Sequence, residues 1–563
     1  MKVRYQVAAA PPQDWLQNFP ELHPAVAGIL YRLGITTTEQ VEHFLKPNYE
    51  QDQHDPWLFA DMPKVVDRII LARDQNESVL IYGDYDADGV CSTVLLYTAL
   101  QQIGVKNLAV YLPHRDTEGY GLNLSAVEKF AQDKVNLIIT VDCGISNVTE
   151  IARAKKLGMD VIVTDHHVEP PQLPEEALAI INPQVKRCGY PWPMLAGVGV
   201  AFKVVQALRQ HLKLDEGFEK WLLDLVAIST ITDCMPLVDE NRTLVKYGLV
   251  VLNKTHRLGL QALIAATHKP AALVTTGSIA FKIGPWINAA GRIDHANMAV
   301  ALLLAESTEQ ATLEAQNLSD TNTSRQEQTE TMYQEAKLQA DTQTDQPVVF
   351  VFADAWPIGL IGLVAGKLVS KFHKPAFVMT LNQGKVFGSG RSVPGVDLIH
   401  TLQRMSDKFA SYGGHAMACG FSLLSDVTRD IFSKQFLITV ADQLAALPTE
   451  HVIELAAELT VSEVTWDFFE QLQQLEPWGE GNREPLFKLN DVPVKDFQVL
   501  GQKQNHLRLV LGDDKYQLKV IAFGYGDKAE QLHLGDKINL VGHIGMNVWN
   551  DRKDLQFMVE DWL

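Results

Sequence analysis

Ser78-Val-Leu-Ile-Tyr-Gly-Asp-Tyr-Asp-Ala-Asp-Gly89 runs from a short apolar stretch straight into three acids at alternate positions, Asp84, Asp86 and Asp88. Ser78–Tyr82 is the pattern of a strand buried on both faces, and Gly89–Ile103 behind it is amphipathic and of helical length. Working outward, Asn107–Leu112, Val135–Val141 and Asp160–Thr164 are three further short apolar runs, with the amphipathic stretch Asn147–Leu157 between the last two. Buried runs alternating with helices predict βαβ units and a parallel sheet covered on both faces. The fold class is therefore α/β.

Beyond this core, a Pro-rich break from Pro170 to Pro193 leads into helical stretches at Ala201–Leu212 and Lys220–Thr230. Residues 305–346 are rich in Gln, Thr, Glu and Ala with sparse apolar positions, which predicts a long connecting helix; a disordered linker is the alternative. Val-Val-Phe-Val-Phe after Pro347, a helix from about Gly359, and strands at Val378–Leu381 and Val386–Ser389 predict a smaller α/β domain. Five strand-like segments follow: Val492–Leu500, His506–Leu511, Tyr516–Phe523, Lys537–Gly545 and Leu555–Glu560. They predict a small barrel of the OB-fold kind. The expected boundaries are an N-terminal helical extension (1–50), the first α/β domain (51–304), the connecting helix (305–346), the smaller α/β domain (347–450) and the barrel (451–563).

With 46% hydrophobic and 21% charged residues over 563 positions, the chain can bury several cores. Its most apolar stretch, Val348 to Val369, is interrupted by Asp354 and Pro357 and cannot span a bilayer. The N-terminal residues carry only a feeble apolar run before Pro11 and Pro12, so no secretory signal is expected. Five scattered cysteines without a CxxC pair argue against a disulfide scaffold or a structural zinc site, and for reduced thiols in a cytoplasmic protein. A formal charge of −19 disfavours tight, non-specific duplex binding, but it leaves room for a local groove that takes one strand.

Four signals fall at or just beyond the ends of predicted elements: Asp84/Asp86/Asp88, Asp142, Asp165-His166-His167, and Asp233 behind the apolar helix Trp221–Thr232. Ligands of open α/β sheets bind outside the carboxyl ends of the strands, so three of these signals converge on one edge. Carboxylate oxygens with one or two imidazoles suit Mn²⁺ or Mg²⁺. So many acids repel one another until cations neutralise them. Two divalent ions about 3.5–4 Å apart can clamp the attacking and leaving oxygens of a phosphoryl displacement. Taken singly, each signal has a plainer reading: a surface turn, a helix N-cap or a solvated His pair. Their joint occurrence on successive strand ends is what favours phosphodiester hydrolysis.

These motifs resemble those of the DHH phosphoesterase superfamily, and within it the RecJ family of single-strand-specific exonucleases. The resemblance spans nearly the whole chain. It includes His114-Arg115, Glu118-Gly-Tyr-Gly-Leu122, Ile287-Asn-Ala-Ala-Gly-Arg292, Gly413-Gly-His415 and Trp478-Gly-Glu-Gly-Asn482. It implies that Asp84, Asp86, Asp88, Asp142, His166 and Asp233 hold two Mn²⁺ or Mg²⁺ ions. Asp142 would be shared, and Asp88 and Asp142 would join His167 in catalysis. Tyr82 stands where some members of the superfamily carry a histidine, which leaves Asp84 as the candidate to complete the first shell. The smaller α/β domain corresponds to the DHH-associated substrate-binding domain.

Gly413-Gly414-His415 offers backbone N–H groups to an anion, backed by a following helix, and Ser389 and Arg391 sit on what reads as a flexible turn. Arg115 and Arg292 are further phosphate candidates, and Tyr120 a base-stacking one. The resemblance implies a monomer that degrades single-stranded DNA from its 5′ end in repair and recombination, with a helicase and a single-stranded-DNA-binding protein as candidate partners. Two rivals stay open: a DHH enzyme acting on short oligoribonucleotides or cyclic dinucleotides, and a non-catalytic scaffold.

Overall fold

The computed structural model describes residues 2–270, 272–382, 384–447, 450–549 and 552–563. The chain forms two compact units, one made of 54–235 and 247–448, the other of 1–53, 236–246 and 449–563. The N-terminal segment opens on a strand, β1 (Lys2–Val7), rather than being wholly helical as its composition suggested. Val3, Tyr5 and Val7 alternate with Lys2, Arg4 and Gln6, the period-two pattern of a strand.

In the larger unit, five parallel strands form one sheet: β2 (Val79–Tyr82), β3 (Leu108–Tyr111), β4 (Leu137–Val141), β5 (Asp160–Thr164) and β6 (Ala179–Ile181). Their order is β3-β2-β4-β5-β6. The chain steps from β2 outward to β3, then returns to the other side of β2 to lay down β4. Loops leaving β2 and β4 therefore diverge, and the crevice between them is where ligands bind in such sheets. β2 and β4 are buried throughout, as continuous apolar runs require. The short strand β6 lies inside the Pro-rich break, where the turn residues masked its Ala-Ile-Ile pattern.

Residues 308–341 are one helix, which decides between helix and linker. Its inward positions Ala311, Ala315, Leu318, Asn322, Thr329, Met332, Ala336 and Ala340 keep a three-and-four spacing. Five more strands follow: β7 (Val349–Ala353), β8 (Ala376–Asn382), β9 (Lys385–Arg391), β10 (Phe409–His415) and β11 (Ala418–Leu423). They form a second sheet, β10-β11-β9-β8-β7, in which only β7 and β8 are parallel. Phe377, Phe421, Phe432 and Phe436 fill its core.

The other unit contains β12 (Glu450–Leu455), which pairs in parallel with β1, and β13 (Ala457–Leu459). The remaining strands are β14 (Phe487–Leu500), β15 (His506–Gly512), β16 (Gln517–Phe523), β17 (Lys537–Trp549) and β18 (Arg552–Trp562). These last five form the expected barrel, closed by pairing of β14 with β17. Val26, Leu30 and Phe44 share a core with Phe487, Leu507 and Phe557, so the N-terminal helices and the barrel are one packed body. Buried Arg242 ties them together, donating to the carbonyls of Phe44, Gln474 and Leu475 with its guanidinium 3.8 Å above the Phe44 ring. Among the described residues, no helix is long and apolar enough to cross a membrane.

Candidate metal centre

The acids after β2 are fixed by the start of the helix Ala87–Gln102, which Asp84 and Asp86 precede and Asp88 enters. Asp86 is its N-cap, accepting from the N–H groups of Asp88 and Gly89 at 2.9 and 3.1 Å. Asn288 accepts from the N–H of Ala87 at 2.9 Å, anchoring the turn from a distant helix, Gly284–Ile293. Asp88 is buried, and its carboxylate accepts from the N–H groups of Gly197 and Val198 at 2.7 and 2.8 Å. These belong to the N-terminus of the helix Gly197–Leu212, where both the dipole and the free donors favour an anion. Ser229 also donates to Asp88. Asp142, just after β4, adopts the left-handed region at φ 59°, a strained state for a non-glycine residue. A Cβ on Gly197 would lie 2.7 Å from the Asp142 Cβ, so that position has to be glycine. Asp165 follows β5, and Asp233 caps the C-terminus of the helix Leu223–Thr232.

All six expected metal ligands come together. Ligand atoms of Asp84, Asp86 and Asp142 lie within 4.8 Å of one another, as do those of Asp88, His166 and Asp233, and those of Asp142, His166 and His167. His166 Nε2 is 3.1 Å from Asp142 Oδ1 and 3.6 Å from both Asp88 Oδ2 and Asp233 Oδ2. Asp142 thus belongs to the first and third groups and lies against His166 of the second. Burial, and then the neighbouring carboxylates, push Asp84, Asp142 and Asp233 well above the usual carboxylate range. Oxygens of these same three residues are buried without a hydrogen-bond donor. Hard divalent cations fit that set of orphaned acceptors. Tyr82 takes no part in it, because its hydroxyl donates to the Gly121 carbonyl at 2.8 Å.

Asp165 was not among the expected site residues, yet it orders the rim. It accepts from the N–H groups of Ile145, His166 and His167, and its Oδ1 is 2.8 Å from His167 Nδ1. Burial opposes its charge, but the His167 ring and these donors hold it at about 2. In His167 burial also opposes the charge, while Asp165 and further carboxylates raise it to about 9. Asp165 stood next to the paired histidines in sequence; what could not be read there was the set of N–H groups that its turn collects. Tyr120 Oη lies 3.1 Å from both His167 Nδ1 and the Asp142 carbonyl.

Beside the acids lies a set of arginines. Arg115 sits over the Tyr85 ring at 4.9 Å. Arg292 donates to the Gly359 carbonyl at 3.1 Å, and burial together with Arg115, Arg391 and Arg325 lowers it to about 9. Arg391 donates to Ser389 Oγ and the Gly390 carbonyl at 3.1 and 2.8 Å. Among the described residues none of these four arginines forms an ion pair. Arg325 was missed by sequence reasoning. It follows Asn322 and precedes Thr329 on the inward stripe of the long helix, and all three carry buried polar atoms without partners. The signal was a polar interruption of that stripe.

Two expectations are corrected. Ser389 and Arg391 lie on β9, not on a flexible turn. Gly413-Gly414-His415 ends β10 and returns directly into β11, so no helix follows it; a side chain on Gly414 would strike the Ala418 carbonyl of the hairpin. Gly390 and Gly414 serve close strand pairing, which local reading mistook for turns. The hairpin still brings the His415 ring to 6.5 Å from that of His167, nearly parallel to it.

Acids and imidazoles gathered at the switch point of a parallel sheet, with a smaller α/β domain beside them, define a phosphoesterase of the DHH class. The DHH family N-terminal domain matches residues 78–230, the DHHA1 domain 345–436, and the RecJ OB domain 455–561. The chain is 37% identical to the single-stranded-DNA-specific exonuclease RecJ of Bacillus subtilis, over all of this chain and 71% of that protein. It is 32% identical to the Haemophilus influenzae protein of the same name, over 96% of each. The crystal structure of Thermus thermophilus RecJ with Mn²⁺ superposes with a TM-score of 0.83 at 28% identity, covering all of this chain and 80% of that one. A Mg²⁺ complex of that RecJ gives a TM-score of 0.77. The chain belongs to the RecJ family.

Proposed function

We propose that this protein is a metal-dependent exonuclease that hydrolyses single-stranded DNA from its 5′ end, in repair and recombination. The observation that carries the reading is Asp142, grouped with Asp84 and Asp86 on one side and with His166 and His167 on the other, beside arginines that form no ion pair among the described residues. Asp84, Asp86 and Asp142 would hold one divalent ion, and Asp88, His166 and Asp233, with Asp142 shared, the other. Mn²⁺ and Mg²⁺ are the candidates, and both occur in RecJ structures. Bound there, such ions supply hydroxide near neutral pH and neutralise charge on the phosphate during in-line displacement.

The chain's own groups do the rest. Asp165 orients His167 through Nδ1 and, against burial, raises its pKa. His167 then stands beside the reacting phosphate, able to polarise it or to give a proton to the departing oxygen. Arg115, Arg292, Ser389 and Arg391 offer charge-assisted donors to a strand phosphate. In the barrel, His506 pairs with Phe523 across β15 and β16, their rings 5.2 Å apart edge to face, and Phe523 is 61% exposed. Arg508 is exposed on β15 beside them, so stacking and a backbone contact for unpaired bases are combined there, while Lys519 on β16 is paired with Asp554 at 2.7 Å. The 5′ polarity follows from the resemblance to RecJ exonucleases. A cytoplasmic monomer supplied with single strands by a helicase, alongside a single-stranded-DNA-binding protein, fits this reading.

The barrel counts against a dinucleotide enzyme, and the intact ligand set against a scaffold. The test is product size from 5′- and 3′-labelled single and double strands with Mn²⁺, Mg²⁺ or chelator. Metal-dependent release of short products from the 5′ end of single strands is expected. Equal digestion with chelator, or preference for a dinucleotide, rejects the reading.

A further inference from the structure

Tyr120 lies in the loop after β3, between Gly119 and Gly121, both at positive φ (81° and 78°). The loop is pinned immediately behind it. Tyr82 donates to the Gly121 carbonyl, and the Asn147 side chain both accepts from the Leu122 N–H and donates to the Leu122 carbonyl, at 3.1 and 3.0 Å. The tyrosine is thus held before any substrate arrives.

Its two ends have different surroundings. A carbonyl can only accept, so the tyrosyl proton goes to Asp142. The phenolic oxygen is then left to accept from the His167 Nδ1–H, which also faces Asp165 Oδ1. That order leaves Nε2 as the His167 nitrogen free of both partners. It also braces the carbonyl of Asp142, the shared ligand in the left-handed conformation. The ring meets the His167 ring edge to face at 5.4 Å, and the residue as a whole is 46% exposed.

We propose that Tyr120 couples base recognition to alignment of the centre. Its open ring face stacks on a base flanking the scissile phosphate, while its hydroxyl positions His167 and the Asp142 backbone. A paired base, already stacked in a duplex, is not free to take that place, so the same residue contributes to selection of single strands. This proposal rests on the nuclease reading above.

The experiment compares wild type, Tyr120→Phe and Tyr120→Ala on a labelled single strand and on strands with an abasic site on either side of the scissile bond, tested separately. The Phe variant keeps the ring and loses the anchor. Its kcat is expected to fall about 10- to 100-fold, the usual cost of an outer-shell partner, with KM near wild type and the abasic penalty kept. The Ala variant is expected to lose kcat similarly and to bind intact and abasic strands alike. Mn²⁺ uptake, measured by calorimetry with the metal alone, stays near wild type in both. A Phe variant with wild-type kcat overturns the anchoring role, and an Ala variant that still discriminates abasic strands overturns the stacking role. Loss of Mn²⁺ uptake would place Tyr120 in the fold of the site instead, and equally overturns the proposal. Wild-type protein that leaves single strands intact in Mn²⁺ removes the nuclease reading itself, and this proposal with it.

Discussion

The acidic and the arginine clusters are opposite solutions to one problem. Each gathers like charges at a partly buried site, and the groups around neither offset them fully. Asp84, Asp142 and Asp233 are held well above their ordinary pKa, first by burial and then by one another. Arg292 is held below its own by burial and by Arg115, Arg391 and Arg325. Counter-charge has to come from outside: cations on one side and phosphate on the other. Tyr85 stands between them, its ring beneath Arg115 and its neighbours Asp84 and Asp86 in the metal set. The contrast teaches that the two halves should fail differently. Damage to the acids removes chemistry, whereas damage to the arginines removes grip.

The largest expected effect is at the shared ligand. Asp142→Asn keeps the shape and tolerates the left-handed backbone. It should nonetheless cut kcat by about a thousandfold or more, beyond the 10- to 100-fold cost of an outer-shell partner. Steady-state digestion of a labelled single strand in Mn²⁺ checks this, with circular dichroism to confirm the fold. Near wild-type turnover would dissolve the contrast at its acidic end.

Arg115→Ala probes the other side. Arg115 carries fewer structural ties than Arg292, so its loss should leave the fold intact. A charge-assisted hydrogen bond contributes about 1.5–3 kcal/mol, so KM should rise about 10- to 100-fold while kcat changes little. A variant that loses kcat and keeps KM would move Arg115 into the chemistry and blur the division.

How far these clusters could be read from sequence follows from how they are built. Asp84, Asp86 and Asp88 lie within five residues at a strand end, and Asp142 and Asp165-His166-His167 close two more strands of the same sheet. Local pattern and fold class place them together without coordinates. The groups that hold Asp88 were not legible, because Gly197, Val198 and Ser229 are ordinary helix residues until packing brings them to its carboxylate. The arginines come from a loop, two helices and a strand; Arg115, Arg292 and Arg391 could be read one by one as phosphate candidates, whereas Arg325 showed only as a polar gap in an apolar stripe and was missed. Glycines misled: Gly390 and Gly414 suggested turns, but they permit strands to pair closely. The N-terminal strand was overlooked because its partner β12 lies at the far end of the chain.

Metal removal sharpens the comparison thermodynamically. In metal-free protein the raised folded-state pKa values of Asp84, Asp142 and Asp233 mean that their contribution to stability is full below the ordinary carboxylate range. It is lost as pH rises through the folded values. Cations reverse that loss at neutral and higher pH. Each ion at a hundredfold its dissociation constant contributes about 2.7 kcal/mol, so two contribute about 5 kcal/mol, and about 1–1.5 °C accompanies each kcal/mol in a unit of this size. Chelator should therefore lower Tm by roughly 5–10 °C at pH 8, and by clearly less at pH 5. Calorimetric melts with and without chelator at the two pH values decide it, and an equal drop at both breaks the electrostatic account.

The smallest expected effect lies in the barrel, where neither cluster is involved. Phe523 is 61% exposed on β16 against His506, a costly position for a phenylalanine with no partner but a reasonable one for a stacking platform. Base–aromatic stacking contributes about 1–3 kcal/mol per base. A single platform at the low end of that range predicts that Phe523→Ala weakens binding of a long single strand about fivefold. Turnover of a short strand at saturation should stay unchanged, because the acids and arginines are untouched. Fluorescence anisotropy on long strands and single-turnover cleavage of short ones separate the two readouts. Loss of short-strand turnover would implicate the barrel in the chemistry, and unchanged long-strand affinity would leave Phe523 without a role in binding. The surface that does bind would then have to be sought away from β15 and β16.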